Sequence, residues 1–228
     1  MNTVLLLRKI SGRLPKYRRF LSSIAFLLGC NAGFLRCRRS AQLSNKGFCR
    51  KCKISACGMH NQIIIEDGAY LEGCSFHIEG SNCKVLISTG CTLIGVEFWI
   101  EDDAGEIRIG KAVKTFGDSQ FAVIEGQSIV IGDECLLAKG IQIRVGDSHS
   151  ILSLENHERI NHSQSVVIGK HVWIGEKSTV LKGAVIEHDA VIATGAVVTR
   201  RVPPNTIAAG VPAKTVKENI TWDIQRKN

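Results

Sequence analysis

Three of the seven histidines in this 228-residue chain fall in one polar segment, Gly146 to His162. They are His149, His157 and His162, and Asp147 stands two residues before the first of them. A neutral imidazole with a pKa near 6.5 accepts a proton readily at neutral pH, which suits general-base work. Three imidazoles that converge can instead hold zinc. On an extended stretch Asp147 and His149 would point the same way, so the carboxylate could orient the ring. Polar segments of this length, carried by a rigid scaffold, are where function tends to reside.

The scaffold is legible just beyond the segment. Ile168, Ile174, Val180, Ile186, Ile192 and Val198 recur every six residues, and Val172, Ser178, Ala184, Ala190 and Ala196 follow the first five at a spacing of four. The second position of each unit is small in three of five cases, as at Gly169 and Gly175. Neither the helical period of 3.6 nor the strand period of 2 accounts for this pattern. A short fixed period predicts a solenoid, in which each unit buries its apolar residue only by stacking on the next. Three hexads make one triangular turn, so the predicted fold is all-β, a parallel β-helix. The same phase returns at Ile131, Leu137 and Ile143. Ile143 to Ile168 then spans 25 residues, so a loop, taken as 147–165, leaves the prism there.

Upstream the pattern loosens into short apolar strands separated by Gly, Asn, Asp and Ser, beginning near residue 60. Residues 1–40 hold nine Lys or Arg and no acid, and their apolar runs are too short to span a bilayer at ~20 residues. Residues 1–59 are therefore expected to form a basic, helical N-terminal cap, with anchoring on an anionic leaflet as the alternative. Residues 60–214 form the solenoid domain, and 215–228 a short helix or tail. The net charge of +8 suggests polyanionic partners, and by itself leaves nucleic acid, membrane, acidic glycan and phosphorylated cofactor open.

The nine cysteines concentrate before Cys91. Cys37, Cys49, Cys52 and Cys57 could form a metal clip, but they lack the two tight pairs usual in zinc sites. Cys74, Cys83, Cys91 and Cys135 read as small apolar fillers. Unpaired thiols in this number fit a reducing compartment.

Several stretches resemble the hexapeptide-repeat acyltransferases: Asp147-Ser148-His149, then Trp173 within His171-Val172-Trp173-Ile174-Gly175, then Val198-Thr199-Arg200 through Gly210-Val211-Pro212-Ala213-Lys214. The loop from Ser153 to His162 is most similar to the capsule and sialic-acid O-acetyltransferase branch. The resemblance spans about residues 107–217. It implies a left-handed β-helix, acetyl-CoA as acyl donor, no metal, and a sugar hydroxyl of a surface glycan as acceptor.

By the same resemblance His149 is the general base, and Trp173 lies beside it. Glu176, Thr194, Thr199, Arg200, Lys214 and Lys217 match coenzyme A positions, the cations near its phosphates. Asp147, His157 and His162 would contact the acceptor. His171 and His188 occupy outward hexad positions and are expected to be solvated. The implied assembly is a homotrimer with active sites between subunits, working in the cytoplasm or at the inner membrane face, with no nucleic-acid partner.

Three other readings compete. An acetyltransferase of a small acceptor, such as serine or an amino-sugar nucleotide, shares the fold, but serine enzymes carry a larger helical N-terminal region. A γ-carbonic-anhydrase-like zinc enzyme would place its ligands inside the coils rather than on an excursion. A non-catalytic scaffold would not need His149, Trp173 and the cations together.

Overall fold

The computed structural model describes residues 41–227, and these form one solenoid of short parallel strands. The chain visits three faces in rotation. Face I runs from Ala41–Asn45 to Val185–Ile186, face II from Phe48–Arg50 to Ile207–Ala209, and face III from Lys53–Ala56 to Val197–Val198. Faces I and III hold seven strands each, so the solenoid completes seven turns. It is the parallel β-helix that the hexads predict, and it matches the left-handed solenoids that the resemblance implies.

The loose and strict halves of the sequence differ in coil length. Val167 pairs with Val185, eighteen residues on, which is three hexads. Gln62 pairs with Lys84, Lys84 with Glu106 and Glu106 with Ser128, each twenty-two residues on. The extra residues sit in the corners and break the six-residue phase without changing which side chains face in. On face III the inward ladder is Ile54, Phe76, Phe98, Phe121, Ile143, Val180 and Val198. Its three phenylalanines all lie in the longer coils, with Phe76 and Phe98 stacked at 4.8 Å. On this ladder the eighteen-residue coils contribute only Val180 and Val198.

Glycine in the second hexad position answers a steric demand. A Cβ on Gly169 would lie 2.7 Å from the His188 backbone nitrogen, and one on Gly175 would lie 2.6 Å from that of Thr194. The next coil passes too close for any side chain.

Two boundaries differ from expectation. Residues 41–56 already form strands, so the solenoid includes Ala41–Ala56 and does not wait until residue 60. The cause is that Cys49 and Cys52 take inward positions normally given to aliphatics, amid outward Lys and Arg. The expected helices of residues 1–40 lie outside the described residues, as does Cys37. At the other end Lys214–Lys217 is a strand antiparallel to Ile207–Ala209, and no helix follows among the described residues.

Cys49, Cys52, Cys74, Cys83, Cys91 and Cys135 are buried free thiols, and Cys57 is exposed. Burial pushes the Cys135 thiol up to about 12 and that of Cys91 to about 11, so both fill space as neutral groups.

Candidate active site

The excursion leaves face III after Gln142–Arg144 and rejoins face I at Val166–Ile168. It folds back on itself as a small antiparallel finger. Ile160 N–H donates to the Ile151 carbonyl at 2.9 Å, and Ser153 N–H to that of Glu158 at 2.9 Å.

Asn161 holds the base of the finger. This side chain is buried, and its Nδ2 donates to Asp147 Oδ2 at 2.9 Å and to the His149 carbonyl at 2.8 Å. Its Oδ1 accepts from the Ile151 N–H at 2.8 Å and from Arg159 Nε at 3.1 Å. Arg159 in turn pairs with Glu125 of the preceding coil. Lys182 adds a second tie, donating to Asp147 Oδ2 and, at 3.0 Å, to the Asn161 carbonyl. A buried amide satisfied on both ends is costly to disrupt, so the finger and the His149 backbone are fixed together.

Asp147 is therefore an anchor for the loop, with no hydrogen bond to the His149 ring. Lys182 first, then Asn161, hold its carboxyl below the usual carboxylate range. The His149 ring is exposed and makes no hydrogen bond within the described chain. His157 and His162 are also exposed, His157 on a left-handed turn at φ 57°. Among the described residues no group of three or more His, Cys, Asp or Glu is arranged to hold a metal.

Trp173 lies on face II between Leu136 and Val191, and 40% of its surface is exposed. His149 leaves from the corner after face III, and no contact joins the two within one chain. The donor-site candidates, by contrast, align. Gly195 N–H donates to the Glu176 carbonyl at 2.8 Å, which sets Thr194 one coil beyond Glu176 at the same corner. Lys214 pairs with Ala209 on the following coil, and Ala213 N–H donates to the carbonyl of Val197, two residues before Thr199. Glu176, Thr194, Thr199, Arg200, Lys214 and Lys217 are all exposed.

Sequence reasoning missed two features. Asn161, Arg159 and Lys182 carry no motif, because their roles appear only when coils 125, 145 and 182 meet. His171 and His188 are not simply solvated. His171 Nδ1 lies 2.7 Å from one Asp189 oxygen and His188 Nδ1 2.8 Å from the other. Trp222 stacks on His171 at 4.4 Å and donates from its indole to the His171 carbonyl at 2.7 Å. The carboxyl of Asp189 lies below its ordinary range, chiefly through His188 and then His171.

The solenoid and its hexads define a class that comparisons with known proteins share. The profile of the bacterial transferase hexapeptide family (six repeats) matches residues 165–200. The solved structure of the polysialic acid O-acetyltransferase OatWY superposes with a TM-score of 0.77 and 31% identity, over 82% of this chain and 89% of that one. The chain belongs to the hexapeptide-repeat acyltransferases. Within them it stands in the capsule and sialic-acid O-acetyltransferase branch.

Among curated relatives, the polysialic acid O-acetyltransferase of Neisseria meningitidis is 40% identical over 113 residues, 49% of this chain and 53% of that protein. The enzyme of the same description from Escherichia coli O1:K1 / APEC is 32% identical over 108 residues, 47% of this chain and 35% of that protein. The chain thus spans about half or less of the length of these relatives.

Proposed function

We propose that this protein is an acetyl-CoA-dependent O-acetyltransferase that acetylates a sugar hydroxyl of a surface glycan, with His149 as general base. The observation that carries the reading is an exposed imidazole, without a hydrogen-bond partner among the described residues, on a backbone that Asn161 and Lys182 hold in place. A sugar hydroxyl has a pKa far above 7 and attacks a thioester slowly unless its proton departs as the C–O bond forms. His149 takes that proton. The tetrahedral intermediate then collapses, the C–S bond breaks, and the imidazolium returns the proton to the departing thiolate. No acyl-enzyme is required.

Glu176 and Thr194 would flank the pantetheine arm along their shared corner, and Arg200, Lys214 and Lys217 would meet the phosphates with charge-assisted bonds. Trp173 would come from a second subunit, since one chain keeps it apart from His149. The finger supports that arrangement. Ile151, Leu152, Leu154 and Ile160 are all at least half exposed, and Leu154 is 95% exposed, an apolar tip suited to packing against a neighbour in a homotrimer. No helix among the described residues is long and apolar enough to cross a membrane. Use of acetyl-CoA would put the reaction in the cytoplasm, and the basic residues 1–40 would suit the inner membrane face.

The test is glycan-dependent release of coenzyme A from acetyl-CoA. His149→Ala should lower it at least a hundredfold, in line with the ~10²–10⁴ typical of general-base catalysis. Release unchanged in the variant would remove His149 from the role.

A further inference from the structure

Face III carries a second, outward ladder whose composition the solenoid does not need. Ser55, His77, Trp99, Ala122 and Arg144 stand in register on successive coils, just before the finger. His77 and Trp99 stack at 4.0 Å with their planes 20° apart. Each ring is tethered: His77 Nε2 lies 2.8 Å from Glu79, and the Trp99 indole donates to Glu101 at 2.8 Å.

The column then steps down. Ala122 has only a methyl where its neighbours have an indole and a guanidinium, so a recess opens between Trp99 and Arg144. Its volume is about 200 Å³; Trp99, Glu101, Gln120, Ala122 and Arg144 line it, and Asp147 and Ser148, just before His149, complete the wall. The polar side is preset, with Arg144 donating to Gln120 at 2.7 Å and Gln120 donating to Glu97 at 2.6 Å.

A rigid indole floor with a rim of carboxylate, amide and guanidinium fits a pyranose. The sugar lays its C–H face on the ring, and its edge hydroxyls bond both donors and acceptors. Local charge narrows the choice. Beyond the recess, Glu79, Glu101, Asp102, Asp103 and Glu125 line the same side of the solenoid, and of these Glu125 has a guanidinium partner, Arg159. Residues 1–40 hold nine of the 29 Lys and Arg and none of the 21 acids, so the rest of the chain carries 20 cations against 21 acids. The basic excess therefore lies in residues 1–40 and not in the stretch that builds this side of the solenoid. A polymer with a carboxylate on every residue would meet like charge here.

We propose that this recess is the acceptor subsite and takes an uncharged hexose or N-acetylhexosamine ring stacked on Trp99. Trp99, Ala122 and Arg144 then set acceptor choice. The proposal rests on the acetyltransferase reading above, and two separate measurements keep the two apart.

Binding is read by saturation-transfer NMR and calorimetry on the 228-residue chain, with neutral oligosaccharides and with oligomers of sialic acid. Neutral oligosaccharides should bind the wild type. Their affinity should fall at least tenfold in Trp99→Ala and in Ala122→Phe, which fills the recess with the aromatic column intact, and Trp99→Phe should recover most of it. No binding of any neutral oligosaccharide, binding indifferent to both variants, or tighter binding of the sialic-acid oligomers overturns the subsite.

Turnover is read separately by coenzyme A release. If the binding pattern holds and no glycan elicits release, the recess stands as a sugar-binding site and the transferase reading falls. If release occurs with a neutral glycan and its KM shifts less than twofold in Trp99→Ala, the transferase stands and the subsite falls.

Discussion

The side-chain amide of Asn161 donates to the main-chain carbonyl of His149 at 2.8 Å, tying the two ends of the finger together. The same nitrogen holds Asp147, so one buried group sets both the path of the loop and the position of its histidine.

Asn161→Ala should loosen that base. Loss of a buried, fully bonded amide is expected to lower stability by ~1–3 kcal/mol, read by denaturant unfolding. The larger effect should be on kcat, at least tenfold, with KM for acetyl-CoA within twofold. Equal losses in both constants would place Asn161 at the donor site instead.

Asp147 gives the loop a pH dependence. Lys182 and Asn161 depress its carboxyl in the folded protein, so its contribution is complete above the unfolded value of ~3.9 and fades as pH falls towards the folded value. Thermal melts of the wild type and Asp147→Asn should differ at pH 6 and converge as the pH drops through 4 and below. A gap that widens in acid would contradict this sign. The pair is partly exposed, so the gap should also shrink in high salt.

Trp222 fastens the C-terminal segment to the solenoid through its stack on His171 and its bond to the His171 carbonyl. Trp222→Ala should cost ~1–3 kcal/mol from lost aromatic packing and burial. It should also free residues after Lys217 for limited proteolysis. A melt and a digestion pattern identical to the wild type would show that the segment is held by other contacts.

Gly175→Val should be among the most damaging single changes in the strict coils. Its Cβ would approach the Thr194 nitrogen to 2.6 Å, a backbone contact that no rotamer relieves. A loss of ~1–3 kcal/mol or more is expected from such overpacking, visible as a lower melting temperature. Because Thr194 is displaced with it, KM for acetyl-CoA should rise in whatever protein folds.

Arg200→Ala and Lys214→Ala should each raise KM for acetyl-CoA about tenfold or more, as expected on losing a charge-assisted bond of ~1.5–3 kcal/mol, with little change in kcat. Dephospho-coenzyme A should narrow the difference from the wild type if these cations meet its ribose phosphate.

What could be read from the chain depended on coil length. Residues 167–198 announce themselves because an eighteen-residue coil is three equal hexads, and each inward position recurs in phase. The twenty-two-residue coils keep the same inward ladder but spend four residues on corners, which hides the repeat from any fixed spacing. Residues 41–56 were harder still, since Cys49 and Cys52 stand where Leu71 and Cys74 stand one coil later. The histidine-bearing loop was legible as a break in the repeat. Its hub was not, because Asn161 acquires partners from positions 147, 149, 151, 159 and 182 only after the coils stack. Trp222 likewise has no periodic neighbour to mark it.

The strand Lys214–Lys217 reverses direction against Ile207–Ala209, whereas every other pair of strands among the described residues is parallel. Just before it, Val202 bridges to Ile186 on face I, and Ala213 bonds Val197 on face III. The last rung of the ladder is thus consumed by the chain's own tail, in the wrong polarity for another copy to continue. A stack of parallel coils is a ready template for end-to-end growth into filaments, and this reversal makes the C-terminal end a dead end for such growth.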